Sequence, residues 1–424
     1  MTPARHPLAT VVAFLTAPPF VTAMTSVIVG TSIMALARRE TIAWPGLIAI
    51  LSTLCLIAII SIVARWSTIE WRGILPISLL VFLGWAGLSL LWSSYTWVSL
   101  GSLVYLGCFT VLGLYIALLR DSIQIVRSYG DALRVVLVIS ISLEIVAGVL
   151  IDAPIGFLQI LGDLDHLGPI QGISGSRNQL GIVSVIALIT FATELRTKSV
   201  SRTRAIGSLI LASVTLLLTQ SPLGLGASVA VGLAAAALYG LRRVAPHRRR
   251  FWQLSLAAAA VILAIGSWIS RSVIVQTVGA DTELSYRLDL WRQTWGLISL
   301  YPLQGWGWIG SWRDDIPPYL LFQGVGPRSE TSASNAYLDV WLQLGVIGLV
   351  IFLGLVGLAF TRSWLLASRQ RSVVYAWPAL VLVALATTGL AESSILVEFG
   401  WLTFVVCAVK AAEQLSWRRA LVDD

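Results

Sequence analysis

Apolar residues in this chain come in long, almost unbroken runs. A helix needs ~20 mostly apolar residues to cross the hydrocarbon core of a bilayer. Candidate runs lie near residues 8–37, 42–64, 73–92, 98–119, 132–152, 179–195, 205–220, 223–241, 252–270, 335–361, 373–391 and 394–412. The pattern predicts an all-α, polytopic membrane protein with about 12 transmembrane helices. The first run has an alternative. Arg5 precedes it, and Val21-Thr22-Ala23 loosely matches a signal-peptide cleavage site. Its apolar character continues to Leu36, which favours an uncleaved helix kinked near Pro18-Pro19.

Composition agrees. Of the 424 residues, 57% are hydrophobic and 12% charged, against roughly 25% charged in a soluble domain. Mean hydropathy is +0.84. These values exclude a cytosolic enzyme, a secreted disulfide scaffold and a disordered chain. The net charge is +8, which in a soluble protein would suggest nucleic acid. In a membrane protein, Lys and Arg instead gather in cytoplasmic loops, so no nucleic-acid partner is expected. With the N-terminus in the cytoplasm, 21 of the 29 basic residues fall on the cytoplasmic side. The other eight are Arg38, Arg39, Arg177, Arg271, Arg287, Arg292, Arg313 and Arg328, and only Arg38-Arg39 breaks the rule in a short outer loop. The expectation is a multi-pass protein of the cytoplasmic membrane with both termini inside. Cys55, Cys108 and Cys407 lie in apolar runs without metal-ligand spacing and read as packing residues. Three His are too few and too scattered for a metal site.

Two connections are long, and both fall outside. One runs from about Asp152 to Asn178; the other is residues 272–334, between spans 9 and 10. The chain therefore divides into 1–271 (spans 1–9), 272–334 (a large extracytoplasmic loop with an interfacial helix) and 335–424 (spans 10–12 and a cytoplasmic tail). Long loops in compact proteins are usually functional, so chemistry is expected to face outward. Within 283–302, Leu284, Leu288, Trp291, Trp295 and Ile298 form one helical stripe, suited to a helix lying along the membrane surface. It leads into a segment carrying Gly305, Trp306, Gly307, Trp308, Gly310 and Trp312, which suits a tight turn at the headgroup layer.

No phosphate loop, dinucleotide fingerprint, zinc-protease motif or nucleophile elbow is present. Candidate chemistry rests on polar residues at outer helix ends. Arg287 is a candidate diphosphate clamp, because a guanidinium matches a phosphate fork bidentately. The bland alternatives are a headgroup contact or an ion pair with Glu283. Arg292 lies on the more polar side of the stripe. Arg177-Asn178 follows Gly172 and Gly175 at the start of span 6, where helix N–H groups attract anions; the alternative is a cap with a snorkelling Arg. Ser334 and Asn335 begin span 10 as good N-caps. The sharper reading has Asn335 and Tyr337 hydrogen-bonding a ligand. Asp339, about a turn into the membrane, needs a partner, with an outer-loop Arg the natural one. Glu144 needs a partner too, and Glu392 and Glu398 lie near the turn between the last two spans.

Three blocks in order resemble the O-antigen ligase / O-antigen polymerase superfamily of cell-envelope glycan enzymes. They are Gly175-Ser-Arg177-Asn178-Gln179-Leu180-Gly181; Tyr286-Arg287-Leu-Asp-Leu-Trp291 with Pro302…Gly305-Trp-Gly307; and Ser334-Asn335-Ala336-Tyr337-Leu338…Gly345-Val-Ile-Gly348-Leu349. The likeness is closest to the exopolysaccharide polymerase branch. It implies a metal-independent glycosyltransferase, without cofactor, that takes a polyprenyl-diphosphate-linked glycan as donor and a glycan or lipid hydroxyl as acceptor. By resemblance, Arg287, Arg177, Ser334 and Asn335 are expected to be catalytic. Asn178, Arg292, Trp291, Tyr337, Asp339, Trp306 and Trp308 are expected to bind substrate. Two departures stand out: Ser334 stands where the family often has His, and Pro222 follows Ser221 where it often has Arg. A lipid-linked-glycan flippase or transporter, or an inactive glycan-lipid-binding relative, is the rival reading.

Overall fold

The computed structural model describes residues 14–67, 76–165, 167–270, 272–273, 281–322, 330–370 and 372–414. Arg5, Arg72, Arg271, Arg328, Arg418 and Arg419, and most of the candidate signal-peptide region, lie outside the described residues. The described chain is helical apart from turns and one isolated bridge, Ile155 to Ile160. In order, the principal helices are α1 (Pro18–Ile33), α2 (Ala35–Ala64), α3 (Ile77–Leu88), α4 (Thr96–Leu119), α5 (Ser122–Ile145), α6 (Arg177–Thr197) and α7 (Arg202–Leu218). They continue with α8 (Pro222–Arg243), α9 (Arg249–Ile269), α10 (Asp281–Ile298), α11 (Ala336–Arg369), α12 (Ala376–Thr388) and α13 (Glu398–Gln414).

Every stretch expected to span overlaps one of these helices, and α10 is the one expected inside the long connection. Among the described residues, seven helical segments have the length and apolar character to cross a bilayer: Thr41–Ala64, Thr96–Leu119, Ser122–Ile151, Arg177–Thr197, Pro222–Arg243, Arg249–Ser267 and Ala336–Arg369. Pro18–Ile33, Ile77–Leu91 and Val373–Thr388 are apolar but shorter. The class is therefore an all-helical, polytopic membrane protein. Pro18 and Pro19 do not kink a continuous helix; they occupy the first turn of α1, where a missing N–H costs nothing.

Burial follows composition. From Phe399 to Ala412 every residue of α13 is buried, as expected of a helix apolar on all sides. It packs along α4, α11 and α12 as the central post of the bundle. Trp401 donates its indole N–H to Thr110 Oγ1 at 2.9 Å, so the post carries its polar atoms paired.

Two features shape the end of the bundle where the long connections gather. First, α11 is broken at Gly345 (φ 69°, ψ −176°). The segment 302–307 inserts there: Trp306 N–H donates to Leu342 O (3.0 Å), Gly307 N–H to Gln343 O (2.8 Å), and Val346 N–H to Pro302 O (2.8 Å). The freed Leu344 carbonyl accepts from Trp85 Nε1 at 3.0 Å. Backbone groups released by a broken helix in an apolar setting must find partners, and these four do. Second, Glu144 is fully buried at the end of α5 and accepts from Gly172 N–H (2.7 Å), Gln171 N–H (2.9 Å) and Gly162 N–H (3.4 Å). Its partner is thus the backbone of the 152–176 connection, which it ties to the bundle.

Candidate functional site

The buried face of α10 is not the predicted stripe. Arg287, Leu290, Thr294 and Ile298 face inward, while Trp295 is 52% exposed. The helix is rotated so that its one cation in this stripe turns into the protein. A stripe read from apolarity alone passes over Arg287, because what buries it is a set of partners rather than hydrophobicity.

Those partners join the three sequence blocks. Arg287 Nη2 donates to Glu392 Oε1 at 3.3 Å; Nη1 donates to Ser334 O at 3.4 Å and to Ala391 O. Glu392 Oε1 also accepts from Asn178 Nδ2 at 2.9 Å. Asn178 Oδ1 accepts from Ser221 Oγ at 2.7 Å. A single network therefore runs Ser221–Asn178–Glu392–Arg287–Ser334 across α8, α6, the α12–α13 turn, α10 and the entry to α11. Local chemistry positions each member. Ser176 caps α6 by accepting from Gln179 N–H (3.1 Å), which sets Asn178 in the first turn. Ser221 caps α8 by accepting from Gly224 N–H (3.0 Å). Gly181 and Gly224 let these two helices touch; a Cβ on Gly224 would lie 3.1 Å from Gly181 Cα. Trp291 Nε1 braces α10 by donating to Ala333 O at 2.9 Å. Beside the network, burial raises the Glu330 carboxyl and the Tyr286 hydroxyl above their ordinary ranges, with the two groups set against each other.

Glu392 also lines a cavity of about 480 Å³. Its walls carry seven hydroxyl side chains, Ser174, Ser176, Ser311, Thr331, Ser332, Ser393 and Ser394, together with Gln179 and Glu398. A larger, more apolar cavity of about 1160 Å³ adjoins it between α2 and α4. The two share Trp44, Gly310, Ser311, Thr331, Leu396, Val397 and Glu398. A hydroxyl-rich chamber next to an apolar groove suits an amphipathic ligand with a sugar-like head.

The remaining predicted residues are placed as follows. Asn335 caps α11, accepting from Tyr337 N–H (3.0 Å) and Leu338 N–H (3.1 Å), and its Nδ2 donates to Leu390 O. Tyr337 donates its hydroxyl to Ala386 O at 3.0 Å. Asn335 pins α11 to the turn that carries Glu392, and Tyr337 pins it to the end of α12 that leads into that turn. Asp339 is buried, and among the described residues no outer-loop Arg meets it. It accepts from Ala333 N–H (3.1 Å), the Ser393 hydroxyl and Gln343 Nε2 (3.5 Å). Neutral donors suffice because several converge on it. Gln343 in turn accepts from Ile309 and Gly310 N–H, each at 2.9 Å, and so frames the chamber wall. Trp308 is buried with its ring edge-on to Phe82 (85° between planes), part of the main core rather than a surface turn. Trp306 donates Nε1 to Leu297 O at 3.1 Å. Arg292 lies outside the network: its side chain is 78% exposed and pairs with Asp289 at 2.7 Å. Arg177 opens α6, half-buried, next to Asn178. The Glu283 side chain, the alternative partner for Arg287, lies outside the described residues.

The O-antigen ligase family model matches residues 207–353. That stretch runs from α7 into the middle of α11 and holds Arg287, Ser334 and the Gly345 break. The chain thus carries a domain of the O-antigen ligase / O-antigen polymerase superfamily, which points to glycan processing in a membrane. No curated protein matches the chain. Asn178, Glu392 and Glu398 lie outside the matched residues, and only their contacts bring them to the site.

Proposed function

We propose that this protein is a metal-independent glycosyltransferase of the cytoplasmic membrane. It moves a glycan from polyprenyl diphosphate to a hydroxyl of an acceptor glycan or lipid at the outer face. The observation that carries this reading is the Ser221–Asn178–Glu392–Arg287–Ser334 network standing at a chamber walled by hydroxyls. Hydroxyl and amide side chains match sugar hydroxyls, and a guanidinium matches the charge growing on a departing diphosphate. Arg287 reaches the chamber wall through Glu392. In this reading the donor's diphosphate replaces Glu392 as its partner, while Asn178 keeps Glu392 in place. The acceptor oxygen attacks the anomeric carbon, the bond to the diphosphate oxygen breaks, and its electron pair leaves with the lipid.

A polymerase joins donor to donor, and a ligase serves a different acceptor. The resemblance favours the polymerase. The Gly345 break does not favour the transport reading. In transporters the unwound backbone lines the substrate path, whereas here residues 302–307 fill it.

The test is incubation of purified protein with polyprenyl-diphosphate-linked oligosaccharide from its own host, without metal or nucleotide sugar. Release of polyprenyl diphosphate with a length ladder is expected. Release only with an added acceptor would make it a ligase. No release from a donor that a known transferase consumes would discard the enzymatic reading.

A further inference from the structure

A hydroxyl that attacks an anomeric carbon must give up its proton to something near the breaking bond. Ser334 cannot take it, because a serine hydroxyl is a poor base at neutral pH. Among the described residues, the carboxylates lining the chamber are Glu392 and Glu398. Glu392 already faces the Arg287 guanidinium and the Asn178 amide through one oxygen. Its task is to hold cations and donors.

Glu398 is placed differently. It begins α13 and borders both the hydroxyl-rich chamber and the apolar groove. In a lipid-linked glycan, the bond that breaks lies between the sugar and the lipid diphosphate. Seated with its sugar in the chamber and its tail toward the groove, such a molecule carries that bond to their junction, where Glu398 stands. Tyr105, from α4, donates its hydroxyl to Glu398 Oε1 at 2.7 Å. The Glu398 backbone is left-handed (φ 47°), a conformation that is strained for a non-glycine residue and recurs at functional sites. The turn before it is tight: a Cβ on Gly400 would stand 2.0 Å from Ser394 O. Tyr105 therefore holds the carboxylate, and the tight turn fixes the backbone that carries it.

We propose that Glu398 is the base that accepts the acceptor hydroxyl's proton, and that Tyr105 positions it. The proposal rests on the transferase reading above. In the step, the acceptor O–H bond breaks and its proton passes to the Glu398 carboxylate. The acceptor oxygen bonds to the anomeric carbon, and the carbon–oxygen bond to the diphosphate breaks with its electron pair on the leaving group. Glu398 then returns the proton to water.

The test uses the full-length protein and the donor preparation named above, measuring donor binding and single-turnover release of polyprenyl diphosphate separately. A positioned general base contributes about 10²–10⁴-fold. Glu398→Gln is expected to bind donor as tightly as the wild type and release it at least about 100-fold more slowly. Glu398→Asp should recover part of that loss, and Tyr105→Phe should lower kcat with little change in KM. Glu398→Gln turnover within about threefold of wild type would overturn the proposal, leaving the transferase reading intact. Loss of donor binding in both Glu398→Gln and Glu398→Asp would also overturn it, by assigning Glu398 to donor binding. A wild type that never releases lipid diphosphate removes the transferase reading, and this proposal falls with it.

Discussion

At the scale of single residues, Arg287 shows how a cation is kept in a largely apolar protein. It is 8% exposed. Among the described residues, the Glu392 carboxylate and the Ser334 and Ala391 carbonyls receive it. Burying an unpaired charge would be prohibitive, so the network is a condition of its position. Arg287→Ala should abolish glycan transfer while the protein still inserts and purifies, and wild-type activity in that variant would discard the clamp. Arg287→Lys keeps the charge but not the planar fork. It should lose at least about tenfold in transfer, roughly 1.4 kcal/mol. Ser334 occupies a left-handed backbone (φ 46°), a region His tolerates better than most residues. Ser334→His should therefore leave a folded protein with activity within about tenfold of wild type, a change of roughly 1.4 kcal/mol. A folded but inactive Ser334→His would show that Arg287 and Glu392 do not tolerate an imidazole beside them.

At the scale of elements, the broken helix explains a set of glycines that motif reading only records. Gly345 has φ 69°, and a Cβ there would lie 2.0 Å from Leu303 O. Gly305 meets the same constraint from the other side, with a Cβ 2.5 Å from Gln343 C. Each glycine lets the other strand of backbone approach. Gly345→Ala should cost more than about 2 kcal/mol, from the left-handed penalty of roughly 1–2 kcal/mol plus the clash. The measurement is thermal unfolding in detergent, with Gly354→Ala as control, since nothing lies within 4 Å of a Cβ there. An unchanged melting temperature for Gly345→Ala would mean the wedge at 302–307 does not bear on stability.

At the scale of the whole molecule, the site gathers at one end of the bundle, and the proposed reaction puts that end outside, the side expected from the basic-residue distribution. With Cys55, Cys108 and Cys407 replaced by Ala, Ser311→Cys on the chamber wall should react with a membrane-impermeant maleimide in intact cells. Arg204→Cys, in the first turn of α7, should react only after permeabilisation. The reverse pattern would invert the topology and exclude an outer-face reaction.

The sequence by itself determined the helices. Unbroken apolar runs fix membrane helices locally, because the backbone must satisfy itself wherever water is absent. The asparagine at 335 was readable as a cap because a cap bonds within three residues, whereas the caps at Ser176 and Ser221 emerged only with the structure. The sequence also marked Arg287 and Asn178 as candidates, though not as partners. Only the tertiary structure decided which face of α10 is buried, that Glu144 holds a loop, that neutral donors satisfy Asp339, and that Arg292 stands apart. It alone brought Glu392 to Arg287 across 105 positions and Tyr105 to Glu398 across 293. Such pairings are set by how helices pack. No local pattern encodes which distant side chain will supply the missing hydrogen bond or charge.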